Sequence, residues 1–190
     1  MKGKSNWAAV CLAALLVSGF SACSRDQGVQ AAREGQPPTV TPAEQDFTMK
    51  TMQAHLADID MARMASQKTD NTDVKDYAHM IQSDHSSALK DLSELMKNKN
   101  VPQATTLAPD VQEDIRRMSN LTGPEFDREF INMMVDEHQK TVGMFRDELE
   151  IVQDSDVKDY AEDWLSKLEM HLDKAKQLQS KLFSQPAKRR

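Results

Sequence analysis

The chain is poor in the residues that build loops, sheets and cross-links. Its 190 residues include six glycines, seven prolines and two cysteines, and 5% are aromatic. So few glycines and prolines exclude a loop-rich or fibrous protein. No segment alternates apolar and polar residues as a strand would. Basic charge is also short: 24 lysines and arginines face 30 aspartates and glutamates, for a net charge of −6. That balance excludes a nucleic-acid binder, which needs a basic face. No catalytic signature is visible, and nothing beyond residue 40 resembles a membrane span. What is abundant is Ala, Leu, Lys, Glu, Asp and twelve methionines, a composition that favours helix. One domain of ordinary size is expected.

Residues 1–22 read as a bacterial signal peptide. Lys2 and Lys4 make a basic start, and residues 7–17 form an apolar run too short for an ordinary transmembrane helix. Phe20-Ser21-Ala22-Cys23 resembles a lipobox, the cleavage site of bacterial lipoproteins, although an aliphatic residue is usual where Phe20 stands. The alternative is plain secretion with cleavage nearby. Cleavage before Cys23 discards Cys11 and leaves Cys23 to carry the lipid. The folded body then has no thiol for a disulfide, a zinc–cysteine site or a nucleophile. Ser24 after the cysteine implies, by resemblance to enterobacterial lipoproteins, the periplasmic side of the outer membrane. Loss of Lys2 and Lys4 takes the charge to −8. Residues 23–40, with Pro37-Pro38 and few apolar groups, read as a lipidated flexible tether.

The body, residues 41–183, carries four long helical patterns. Thr41-Pro42-Ala43-Glu44 is a capping box with proline in the first turn, opening a helix over residues 42–68. Thr72 is expected to cap a second helix over residues 73–99. Residues 98–109 form a loop with two prolines, followed by a short helix over 109–119. Thr122-Gly123-Pro124-Glu125 repeats the capping-box pattern and opens a helix over 124–152. Ser155 is expected to cap the last helix, 156–182. Residues 184–190 make a basic tail. Within each long helix the apolar residues recur at three and four, as in Val74, Ala78, Ile81, His85, Ala88, Leu92 and Leu95.

The body also repeats itself. Asp73-Val74-Lys75-Asp76-Tyr77-Ala78 returns as Asp156-Val157-Lys158-Asp159-Tyr160-Ala161, a shift of 83 residues. The same shift pairs Phe47 with Phe130, His55 with His138, Met61 with Met144, Arg63 with Arg146 and Thr72 with Ser155. Two related helical hairpins are therefore expected. The connection between them is long enough to run back along the bundle. The predicted fold is all-α: a ferritin-like four-helix bundle of two hairpins joined by a long crossover.

His85, His138 and His171 each occupy a position that the apolar stripe would give to Leu or Met. One imidazole on an apolar face is ordinarily a core residue; three on three helices point to a shared site. Measured along the helices, Asp58 lies roughly 18 Å before the first hairpin turn and His85 roughly 20 Å after it. His138 and His171 lie roughly 24 Å from the second turn. With a crossover, all four meet near mid-bundle, where bundles build carboxylate–imidazole metal centres. Asp58, His85, His138 and His171 are the expected ligands. Asp84 is expected to orient an imidazole, and Glu137 stands at the margin. An imidazole-rich set suits Zn, Cu, Ni or Fe better than Mg or Ca. His55 is expected to be half-exposed and His79 solvated. The Met49/Met52 and Met61/Met64 pairs have the spacing of thioether copper ligands, but Met at helical spacing ordinarily fills a core. Ser83, Ser86 and Ser87 lack the orienting acid and oxyanion hole of a hydrolase.

Ala57-Asp58-Ile59, the run from Met80 through Asp84-His85, Phe126-Asp127 leading to His138, and Leu168 through His171-Leu172 resemble an uncharacterised bacterial family, domain of unknown function 4142. The resemblance covers about residues 46–178. It implies a ferritin-like bundle in a secreted or envelope protein and no established activity. The family usually has Glu where this chain has Asp58. Di-iron ferritins use Glu-x-x-His on two helices; here Gln82 precedes His85 by three residues and Leu168 precedes His171. The bridging carboxylates are missing, which argues against a ferroxidase. The leading expectation is an envelope-anchored, non-enzymatic bundle that binds a transition metal. The alternatives are a structural or protein-interaction module with the histidines as a buried polar network, and a metal-dependent stress-response enzyme. The membrane, reached through Cys23, is the one partner the sequence names.

Overall fold

Thr41 forms the expected capping box: its hydroxyl accepts from Glu44 N–H, and the Glu44 carboxylate accepts from Thr41 N–H. From there, in a computed structural model that describes residues 40–184, five helices follow in order. They are α1 (Pro42–Lys68), α2 (Thr72–Asn98), α3 (Pro109–Ser119), α4 (Gly123–Leu149) and α5 (Ser155–Ser184). Among the described residues there is no strand, and no helix is long and apolar enough to cross a membrane. The signal peptide, Cys23, the tether up to residue 39 and residues 185–190 of the basic tail lie outside the described residues; Val40, read as the end of the tether, is buried in the core instead. Ser184, assigned to that tail from sequence, closes α5 instead.

Two caps sit one residue earlier than expected. Asn71, not Thr72, caps α2, accepting from the N–H groups of Asp73 and Val74. Asp154, not Ser155, does the same for α5 through Asp156 and Val157. Asn is a stronger N-cap than Thr, while Asp and Ser rank about equal, and both caps competed with a hydroxyl one position later. The 83-residue repeat survives the correction, because Asn71 and Asp154 are themselves that far apart. The second capping box does not form. Thr122 makes no side-chain cap bond, and Gly123 turns into the helix at φ +58°, a conformation that glycine adopts without strain. Helix α4 stops at Leu149, three residues short of expectation, because Glu148 O accepts a turn from Ile151 and Val152.

The helix ends establish the topology. Lys68 at the end of α1 donates to Ser119 O and covers the Phe126 ring at the start of α4. Phe47 near the start of α1 packs on Phe145 near the end of α4, with centroids 4.9 Å apart. Lys99, just past α2, pairs with Asp154 and Asp156 at the start of α5. Lys181 at the end of α5 pairs with Asp73 at the start of α2. Helix α1 is thus antiparallel to α4, and α2 to α5, and the chain between α2 and α4 returns along the bundle. Helix α3, inside that return, packs on α1 and α4.

The duplication is visible in the hydrogen bonds. Tyr77 Oη donates to His171 O, and Tyr160 Oη donates to Ala88 O. Both donors and both acceptors are related by the same shift of 83. Each hairpin therefore binds the other by the same interhelical bond. Around it lies a continuous apolar core, with Phe126, Phe130, Phe145, Met52, Leu92 and Leu168 almost wholly buried. Each such side chain contributes about 1.5–3 kcal/mol. Met52 and Met61 belong to this core. His55, His85, His138 and His171 interrupt it at mid-depth, each at most 1% exposed.

Candidate metal centre

Three of the four rings are held by one nitrogen, and His55 by both. His138, on α4, donates Nδ1–H to Met134 O, four residues back, at 2.9 Å. His171, on α5, donates Nε2–H to Asp84 Oδ2 of α2 at 3.0 Å. His85, on α2, turns Nδ1 toward Asp58 Oδ2 of α1 at 3.2 Å and toward His55 Nδ1 at 3.1 Å. His55 Nε2 lies 2.7 Å from Tyr160 Oη. One proton arrangement serves every contact from Tyr160 to Asp58 Oδ2, while Asp58 Oδ1 has no partner. Tyr160 donates to Ala88 O, His55 donates Nε2–H to Tyr160, and His85 donates Nδ1–H to Asp58 and His55.

This leaves His85 Nε2, His138 Nε2 and His171 Nδ1 as bare lone pairs. All three are buried and have no hydrogen-bond partner. The three residues come from three helices, and one ligand nitrogen from each lies within 4.8 Å of the others. Their ring centroids are 5.3–5.5 Å apart. Trp164 walls one side, 5.2 Å from His85 and 5.9 Å from His171.

Burial, then the neighbouring imidazoles, pushes the pKa values of His55 and His138 down to about 3. His85 is lowered well below its ordinary value by the same causes. Burial also lowers His171, against the opposing effect of its Asp84 bond and with help from Lys174 and Lys167. All four rings are neutral at pH 7. Burial, seconded by Glu137, raises Asp58 well above the carboxylate range. An unpaired buried polar atom costs about 1–3 kcal/mol, so three together are an expense that packing alone does not explain. Neutral imidazoles with the remote nitrogen hydrogen-bonded to a carboxylate or carbonyl are the usual form of metal-ligating histidine.

The structure brings together His85, His138 and His171, with Asp84 on His171 as the sequence predicts. Asp58, expected as a ligand, stands behind His85, at the nitrogen opposite the one left free. Glu137 points elsewhere, paired with Lys140 at 2.8 Å. His79 is exposed. His55 is not half-exposed: it is 1% exposed and bonded to both His85 and Tyr160. A signal for it was present. His55 lies four residues after Thr51 and three before Asp58, inside the same helical stripe, and its repeat partner is His138. Tyr160 and Trp164 gave no such signal, because their contacts to the rings come from tertiary packing alone.

The sequence pattern described as "Domain of unknown function (DUF4142)" matches residues 29–178. No curated protein matches the chain. Solved structures that share its fold include two DUF305 proteins. A DUF305 fragment from Deinococcus radiodurans superposes with a TM-score of 0.69 and 18% identity, over 76% of this chain and 99% of that one. A DUF305 protein from Streptomyces coelicolor, described as a candidate secreted protein, gives a TM-score of 0.67 and 13% identity, over 80% and 100% of the two chains.

Proposed function

The chain belongs to the DUF4142 family, whose description states no activity, and we propose that it is an exported protein that binds a first-row transition-metal ion. His85, His138 and His171 are the ligands. The observation that carries this reading is three buried histidines from three helices with ligand nitrogens within 4.8 Å of one another, each ring having one nitrogen held and one without a partner. Their donor chemistry suits Zn, Cu, Ni or Fe. Asp58, with His55, orients His85; Asp84 orients His171; Met134 O orients His138. The rings are already neutral at pH 7, so a cation binds without first displacing a proton from them. Three protein ligands leave room for an exogenous one. Bound metal at such a site supplies Lewis acidity, but no residue nearby is arranged as a nucleophile or general base, and the reading stops at binding.

Equilibrium dialysis of the full chain against Co²⁺ or Zn²⁺ tests this, with Cys11→Ser and Cys23→Ser in place so that no thiol competes. One equivalent is expected. His138→Ala and His171→Ala should each lower affinity by at least about tenfold, and His79→Ala should leave it unchanged. Substoichiometric metal with no thermal shift removes the reading and favours a structural or interaction module.

Export rests on the leader-like residues 1–22 and agrees with the description of the Streptomyces relative. We place the mature protein on the periplasmic side of the outer membrane, anchored by lipid at Cys23. Labelled palmitate should enter the wild-type chain and not Cys23→Ser; equal labelling of the two refutes the anchor.

A further inference from the structure

A metal site buried at mid-bundle needs a way in, and one carboxylate joins it to solvent. We propose that the ion enters and leaves through the seam between α2 and α5, handed by Asp84 to His171. This inference rests on the metal reading above. Of the two carboxylates that hold the rings, Asp58 is 5% exposed and Asp84 is 28% exposed. His171, which Asp84 holds at 3.0 Å, is wholly buried. Asp84 is therefore the side chain that touches both solvent and a ligand ring.

The surface around this pair is open on both sides. A cleft of about 570 Å³ between α2 and α5 is lined by Tyr77, Met80 and Lys174 among others. A second, of about 450 Å³, is lined by Ala88, Tyr160, Trp164 and Lys167 among others. On α2, Asp84 lies one helical turn from both Met80 and Ala88. On α5, His171 lies one turn from both Lys174 and Lys167. The Asp84–His171 contact is thus the narrow strip that closes the seam between two clefts. Their rims mix carboxylates (Asp73, Asp76, Asp91, Asp163) with lysines, and Lys181 is neutralised by Asp73.

The chemistry of opening follows from the contact. A cation that takes the Asp84 carboxylate as a first, weak ligand competes with the His171 Nε2–H for it. Loss of that hydrogen bond frees the ring to turn, which opens the strip. Once the ion has passed to the imidazoles, Asp84 takes back the Nε2–H and holds Nδ1 inward. The seam between α1 and α4 offers no such step. The cleft there, about 320 Å³, includes Glu137, but that carboxylate is paired with Lys140 rather than with a ring.

Stopped-flow fluorescence measures the rate. Trp164 lies against the rings, and in a full chain carrying Trp7→Phe, Cys11→Ser and Cys23→Ser it is the sole indole, reporting Co²⁺ by quenching. Asp84→Asn should slow association by about tenfold or more, and should slow release to a chelator as well, because a route is used in both directions. Asp84→Glu should restore much of the rate. A residue that merely orients His171 would instead raise the release rate and leave association unchanged; that result overturns the route. So does a slowing by Glu137→Gln equal to that by Asp84→Asn. A parent protein that takes up no cobalt at equilibrium overturns the metal reading and the route with it. Wild-type association in a folded, cobalt-binding Asp84→Asn overturns the route alone.

Discussion

Between pH 7 and pH 5 the metal-free protein should lose about 4 kcal/mol of stability to His55 and His138 alone. In the fold these rings take up a proton only near pH 3; in the unfolded chain they do so near pH 6.5. Below pH 6.5 the unfolded state therefore binds more protons. Stability is complete above that pH and falls away as the pH drops toward 3. At pH 5 each ring costs about 2 kcal/mol. His85 and His171, lowered as well, push in the same direction. Asp58 works against them: its raised pKa lets the fold bind a proton that the unfolded chain does not, which returns part of the loss. Against a domain stability of about 5–15 kcal/mol, the imidazoles dominate. Urea unfolding followed by circular dichroism, with chelator present, at pH 7, 6 and 5 measures the total. The double variant His55→Leu/His138→Leu isolates the two rings, and its advantage over wild type should grow by about 4 kcal/mol across that range. An advantage that does not change with pH would show that these rings titrate as freely in the fold as outside it.

His138→Leu should abolish metal binding and, at the same time, stabilise the metal-free protein by about 1–2 kcal/mol at pH 7. The two effects have one cause. His138 Nε2 is buried without a partner, and leucine of similar size removes that unpaired atom. The Nδ1–H bond to Met134 O is lost cheaply, because that carbonyl is inside α4 and already accepts the helical bond of its own turn. A histidine kept for packing would behave the other way, and its replacement would cost stability. Adding Zn²⁺ should reverse the order, since a ligand at 100 times its Kd stabilises the wild type by about 2.7 kcal/mol. Thermal melts of both proteins with and without Zn²⁺ give the four values. A less stable His138→Leu in chelator, or an equal Zn²⁺ response in the two, contradicts the argument.

Much of this molecule is written locally. The four long helices follow from stripes at three and four residues, and the first capping box forms from Thr41 and Glu44, although the same spacing at Thr122 and Glu125 does not close where Gly123 enters the helix at φ +58°. Caps erred where two candidate residues adjoin, as at Asn71-Thr72 and Asp154-Ser155, since either residue can cap and the turn geometry chooses. The pairing of Tyr77 with His171 and of Tyr160 with Ala88 shows that the repeat read from six residues extends to the contacts between hairpins.

By itself the sequence determined helix order, duplication and the placing of His85, His138 and His171 on buried stripes, because periodicity and chain length are properties of the chain alone. Only the tertiary structure decided which nitrogen of His85 and of His171 is free, whereas His138 is held within its own helix by Met134 O. That choice depends on partners 30, 87 and 105 residues away, as in His55 with His85, Asp84 with His171, and His55 with Tyr160. It moved His55 into the cluster and set Asp58 behind His85. A helical stripe tells which way a side chain faces; the rotation of an imidazole about its own bonds is settled by what the other helices bring to it.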